Sequence, residues 1–188
     1  MNVKCVIDLG NCVRDKYLRG YQGNPLFLFL RLMYYASMIY VAADHRGFQL
    51  REELKKYLDN QGYEIEDVGA LTYDETDDYV DFAAAAAEKM AGNPGDNRGI
   101  FVCGSGHGMD VVANKFKGLR AALCFNPQVA AQSRSHDDSN VLVLASDWLS
   151  PEEAKDIVTV WLGKQFSGEE RHMRRLKKIE EIEEKNFK

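Results

Sequence analysis

The chain has 188 residues, of which 45% are hydrophobic and 28% charged, and a net charge of −5. That size and balance suit a globular protein with a sizeable core, and the acidic charge, with a pI near 5.4, argues against a general nucleic-acid binder. The four cysteines, Cys5, Cys12, Cys103 and Cys124, form no C-x-x-C pair, which speaks against a zinc ribbon or disulfide scaffold and for reduced thiols in a cytoplasm.

Residues 1–37 differ in character from the rest of the chain. The run NPLFLFLRLMYYASM, joined to IYVAA, reaches about the length that crosses a bilayer. Arg31 would then sit near mid-span at a cost of about 2.5–3.5 kcal/mol, and there is no clean small-residue cleavage site. The apolar end of the run belongs instead to IYVAAD, which reads as a buried strand. The expectation is an N-terminal extension over 1–37 with no membrane partner, and a domain over 38–188 starting at Met38.

From Met38 strands alternate with helices. A strand over Ile39–Ala43 precedes a helix over about Gly47–Gln61, where Leu50, Leu54 and Leu58 recur four apart and Gly62 marks the end. A strand over Glu64–Val68 leads through the acidic loop TYDETDD to a helix near Tyr79–Ala91, and GNPGDN breaks the chain. A strand over Gly99–Val102 enters CGSGHGMD, with a helix over Val111–Lys115 after it. A strand over Ala121–Cys124 enters a helix with Pro127 in its first turn. A strand over Val141–Ala145 enters a helix that Ser150 caps, with Glu153 three residues on, and a charged helix closes the chain. Such alternation predicts a parallel sheet covered on both faces, with functional groups where strands end and helices begin.

The glycine loop is the first of those points. Gly104, Gly106 and Gly108 let the backbone approach an anion, and the free N–H groups of the next helix point outward. A phosphate or a developing oxyanion suits such a loop; a plain strand-to-helix turn needs only one glycine. The spacing G-x-G-x-G departs from the dinucleotide pattern G-x-G-x-x-G. Met109 stands where a C-x-x-x-x-x-R phosphatase loop needs arginine. Cys103 and His107 lack further ligands for a metal. Cys103 therefore reads as an acid/base or a nucleophile, with a pKa expected to be depressed by the helix N-terminus, and Ser105 lies beside it.

Asp44 and His45 end the first strand. His136 lies in SHDDSN, which reads as a loop. In the tail ERHMRRLKKIEEIEEK, Met173, Leu176, Ile179 and Ile182 recur every three residues, a stripe that wants a partner surface. Arg171 and Arg175 share a helix face, where two guanidinium groups suit a phosphate.

Six segments together carry a resemblance: ADHRGF (43–48), DDYVDFA (77–83), CGSGHGM with VVANK (103–115), GLRAAL (118–123), SHDDSNVLVL (135–144) and ERHMRR (170–175). In that order they resemble the type B ribose-5-phosphate isomerases and the related galactose-6-phosphate isomerase subunits, through almost all of 38–188. The resemblance implies a Rossmann-like three-layer α/β sandwich with a five-stranded parallel sheet and a C-terminal helix used in dimerisation. It implies a homodimer, or a dimer of dimers, with active sites built from both chains. The implied chemistry is aldose–ketose isomerisation of a sugar phosphate without metal or other cofactor. By the same resemblance, His136 opens the sugar ring from the partner chain. Cys103 then carries a proton between C2 and C1, with Ser105 where threonine is usual, and the N–H groups of Gly104 to Gly108 hold the enediolate. Asp44 and Tyr79 touch the sugar, and His45, Arg171 and Arg175 bind phosphate.

Four positions depart from the family pattern. Asp137 replaces an asparagine, Asp147 replaces an arginine implied to contact phosphate, and His107 and Asp110 stand where small or apolar residues and serine are usual. A carboxylate about 6 Å from a phosphate charge repels it by about 2.8 kcal/mol at an effective dielectric of 20, so Asp147 and His107 bear on which sugar is used. Galactose 6-phosphate and allose 6-phosphate are alternatives to ribose 5-phosphate, as are a sugar without phosphate and a non-catalytic subunit.

Overall fold

The computed structural model describes residues 38–187; the extension before Met38, and the membrane reading attached to it, lie outside the described residues. The elements run β1 (Ile39–Ala43), α1 (Phe48–Gln61), β2 (Ile65–Asp67), α2 (Tyr79–Ala91), β3 (Arg98–Cys103), α3 (His107–Ala113), β4 (Ala121–Leu123), α4 (Pro127–Asp137), β5 (Val141–Ala145), α5 (Pro151–Gly163) and α6 (Glu170–Asn186). Among the described residues no helix is long and apolar enough to cross a membrane.

Local chemistry sets most of these boundaries. α1 buries Leu50, Leu54 and Leu58 and ends at Gly62 in the left-handed region. The Asp78 carboxylate accepts the Val80 N–H to cap α2, the Asn126 side chain caps α4, and Ser150 with Glu153 forms a capping box on α5.

The sheet is parallel throughout, in the order β2-β1-β3-β5-β4. The chain leaves β1 in one direction to form β2, then crosses back over β1 to form β3. The carboxyl ends of β1 and β3 therefore flank a switch point, where open α/β sheets hold their ligands. Alternate strand residues feed two cores. Ile39, Val41, Ile100, Val102, Leu142 and Leu144 pack with α1, α4 and α5 around Trp161. Ala42, Phe101, Cys103, Val141 and Val143 pack with α2 and α3 around Met90 and Met109. The three-layer sandwich expected from the alternating pattern is the fold observed.

Strand boundaries differ by a residue from those read in the sequence at β2, β3 and β4, and two helices differ in ways that move a site residue. α3 begins at His107, not Val111, because Gly106 takes a left-handed conformation (φ 79°) that turns the chain straight into the helix. α4 runs on to Asp137, so His136 sits in a helical last turn and not in a loop. Arg134, buried at that turn, donates to Asp138 Oδ1 at 2.7 Å and to the Ser139 carbonyl at 2.6 Å, which holds the turn closed.

Trp161 is fully buried, its indole N–H donates to Ser139 Oγ at 2.9 Å, and the Arg134 guanidinium lies 5.6 Å from its ring centroid. Trp161→Ala is expected to cost about 3–5 kcal/mol. Trp161→Phe is expected to cost less while still exceeding a surface substitution, because it leaves Ser139 without its donor. Urea unfolding midpoints check both.

Candidate active site at the carboxyl ends of the strands

Cys103 closes β3 and is 4% exposed. Its Sγ accepts the Gly106 N–H at 3.2 Å. Burial is the largest influence on the thiol and raises its pKa; Asp44 raises it further, while backbone N–H groups of Met109, Gly106 and Gly108 act in the opposite sense. The depression expected from the helix N-terminus is therefore not what the single chain shows: desolvation outweighs the donors.

Asp44, the residue after β1, is 5% exposed, and its Oδ1 accepts the Gly47 N–H at 2.9 Å. Burial raises its pKa, the Gly47 bond and His45 oppose that shift, and Asp77 adds to it. Next along the chain, His45 presents Nδ1 to Asp77 Oδ1 at 2.7 Å, and the same oxygen accepts the His45 amide at 3.0 Å. The other Asp77 oxygen is buried with no partner among the described residues, an acceptor that a donor would stabilise. Tyr73 meets the His45 ring edge-on at 6.4 Å. Tyr79, the first residue of α2, lies against Gly108 so closely that a Cβ there would collide with its ring. This contact brings the α2 start to the glycine loop.

The loops after β3 and β5 are laced together. Ser146 donates its N–H (3.0 Å) and its hydroxyl (3.2 Å) to the Cys103 carbonyl, and Asp147 N–H donates to the Gly104 carbonyl at 3.1 Å. Arg46 pairs with the Asp147 carboxylate. His107 is exposed and meets Trp148 edge-on, ring centroids 6.0 Å apart. Burial raises the pKa of Asp110, against the pull of His107.

Asp44, His45, Tyr79, Cys103 and the loop from Gly104 through Ser105 and Gly106 to Gly108 thus share one end of the sheet, with His107 and Asp147 at the rim. His136, Asp137, Arg171 and Arg175 do not join them. The Asn140 carbonyl accepts the Gly99 N–H at the amino end of β3, and the four residue steps from Gly99 to Cys103 span roughly 13 Å. His136 stacks there on His172 (centroids 4.3 Å, tilt 32°). His172 is 1% exposed, and its Nδ1 meets Ser167 Oγ at 2.7 Å. Burial and His136 both lower its pKa. Arg171 Nε donates to Glu169 at 2.7 Å, and Arg175 is exposed. Among the described residues no cluster of three or more His, Cys, Asp or Glu side chains suits a metal ion.

Arg46, Asp77 and Trp148 are site residues that reasoning from the sequence misses. Both Arg46, in ADHRGF, and Asp77, in DDYVDFA, stand within quoted motifs, and position after a strand is the further signal for Arg46. Nothing in the sequence pairs Trp148 with His107.

A parallel sheet with a cysteine–glycine loop at its switch point defines a class of small α/β enzymes, and the family model described as Ribose/Galactose Isomerase matches residues 39–179. The chain belongs to that family, and its enzyme class is aldose–ketose isomerase. It is 42% identical over 142 residues to ribose-5-phosphate isomerase B of Escherichia coli, covering 76% of this chain and 93% of that protein. The crystal structure of ribose-5-phosphate isomerase B from Mycoplasma genitalium with bound ribulose-5-phosphate is similar at a TM-score of 0.78 and 37% identity, covering 80% of this chain and 99% of that one. The enzyme of the same name from Clostridium thermocellum is similar at a TM-score of 0.75 and 41% identity, covering 79% and 98%.

The raised pKa of Asp44 sets a direction for stability. Its protonated form is favoured in the folded state above the ordinary value of 3.8, so its contribution is fully present below about pH 4 and is lost as pH rises through the folded value. Replacing the carboxylate by an amide keeps the acceptor for the Gly47 N–H without the buried charge. Asp44→Asn is expected to melt higher than the wild type at pH 7, with the difference fading below about pH 4 in a series of thermal melts.

Proposed function

We propose that the domain over 38–188 interconverts ribose 5-phosphate and ribulose 5-phosphate in the cytoplasm, as a homodimer or a dimer of dimers whose sites are shared between chains. The observation that carries this reading is the Cys103 thiol, buried at the switch point against the Gly106 N–H and beside Asp44. The names of the relatives support the substrate.

In this mechanism His136 of a second copy takes the anomeric hydroxyl proton and passes it to the ring oxygen as the bond from C1 to the ring oxygen breaks, which opens the furanose. The Cys103 thiolate removes the C2 proton, and the C2 electrons form the enediolate double bond. The new charge on O1 is held by N–H groups of the glycine loop. The thiol returns its proton to C1, and Ser105, within the loop, relays the O2 proton to O1, which leaves a ketone at C2 and a hydroxyl at C1. Asp44, Tyr79 and the free Asp77 oxygen take the sugar hydroxyls and ring oxygen. His45, with Arg171 and Arg175 of the second copy, holds the phosphate.

The second copy is argued from two facts. His136, Arg171 and Arg175 lie at the wrong end of their own sheet to meet Cys103. On α6, Met173 is 50% exposed, Ile179 40% and Ile182 58%, and His172 is the one residue the helix buries among those described, so its apolar stripe is largely uncovered within the described residues. A partner that covers the stripe also brings the missing groups.

Cys103→Ala is expected to lower turnover about 10²–10⁴-fold. His136→Ala is expected to lose turnover of the furanose form. Coexpressed, the two variants form mixed dimers with one intact site each, so activity should recover to about one quarter of wild type by random pairing in a twofold dimer. No recovery would sink the shared site. His107 and Trp148 at the rim favour a second reading, the same chemistry on a larger sugar phosphate such as galactose 6-phosphate or allose 6-phosphate. A panel of aldose and ketose phosphates assayed for interconversion separates the two.

A further inference from the structure

The described segments that leave the carboxyl ends of the strands are 44–47, 68–78, 104–106, 124–126 and 146–150. Together they carry six carboxylates (Asp44, Asp74, Glu75, Asp77, Asp78 and Asp147), and Arg46 is their one lysine or arginine. A dianionic substrate entering this rim meets net negative charge, and the one permanent cation that these segments set against it is Arg46. The guanidinium is not an unplaced surface group. It lies across the glycine loop, where a Cβ on Gly104 would stand 2.5 Å from its Nε and 2.6 Å from its Cζ. Its backbone carbonyl accepts the Ser146 hydroxyl at 3.0 Å, and one of its terminal nitrogens pairs with Asp147. The side chain is still 56% exposed, and a guanidinium has five N–H donors, so donors remain for an incoming anion.

We propose that Arg46 is a substrate-phosphate ligand, and that Asp147 is the positioning residue that holds its guanidinium over the glycine loop. The inference rests on the sugar-phosphate reading above. Asp147 then does not repel the phosphate as an isolated carboxylate would, because its charge is offset by the group that binds.

The test uses the full chain and ribose 5-phosphate. Arg46→Ala is expected to raise KM about tenfold to a hundredfold, the range for a charge-assisted bond, with kcat within about threefold of wild type. Arg46→Lys, which keeps the charge without the fork, is expected to fall between. Asp147→Asn added to Arg46→Ala should lower KM again by about threefold or more, because the bare carboxylate left by Arg46→Ala is removed. An Arg46→Ala variant with KM unchanged within about twofold, or a double variant no better than Arg46→Ala, overturns the inference. Inorganic phosphate as the probe keeps the two readings apart. If no sugar phosphate is turned over by the wild type, the isomerase reading fails, and thermal melts with phosphate still decide the role of Arg46. A phosphate-dependent rise in melting temperature that Arg46→Ala loses supports it. No rise, or the same rise in both proteins, overturns it.

Discussion

The Cys103 carbonyl, accepting both the amide and the hydroxyl of Ser146, is the bond on which the mouth of the sheet depends. A carbonyl at the end of a buried strand must find a donor once the ladder stops. Here the donor comes from the next strand over, and its hydroxyl also reaches the Arg46 carbonyl. One serine thereby ties the loops after β1, β3 and β5 to each other. Asp44, Cys103 and Asp147 stand in or beside those loops, so the tie bears on the position of each.

The architecture is legible in the sequence because its signals are local. Leu50, Leu54 and Leu58 repeat at the helical period, Ser150 and Glu153 announce a cap, and the apolar runs at Ile39 and Val141 are bounded by breakers. Cys103 and the glycines are legible for the same reason, since position after a strand in an alternating chain selects them. Other features do not show because their causes are not local. The start of α3 depends on the backbone sign at Gly106. The helical placement of His136 depends on Arg134 closing the turn. The pairing of Arg46 with Asp147 spans 101 positions, and no periodicity connects them. The pKa of Cys103 runs against expectation because a helix terminus is visible in a sequence, while the depth of burial that outweighs it is not.

The two clusters at opposite ends of the sheet have different physical character. The carboxyl end is rich in carboxylates and holds a thiol and an acid that both resist ionisation. The amino end near α6 collects imidazoles and guanidinium groups, with His136 against His172 and Arg171 and Arg175 on the adjoining helix. The segments at the carboxyl end carry more carboxylates than cations, which favours apposition with a face that brings guanidinium groups. Helix α6, with its exposed apolar stripe, is the surface on which that apposition is argued.

The same asymmetry bears on the chemistry. Burial raises the pKa of both Cys103 and Asp44, and the Asp44 charge adds to the effect on the thiol. In the proposed dimer, the cations of the second copy would favour both charged forms. Neither group would then need an unusual neighbour of its own in the single chain, because the positive charge would arrive with the partner proposed to complete the site. Burial in the single chain disfavours the thiolate, and in the proposed dimer the partner's cations would oppose that shift. In the proposed dimer, CGSGHGMD would be half of a catalytic unit: it would supply the thiol and the donors that hold its charge, and leave the cations to the opposite end of another copy.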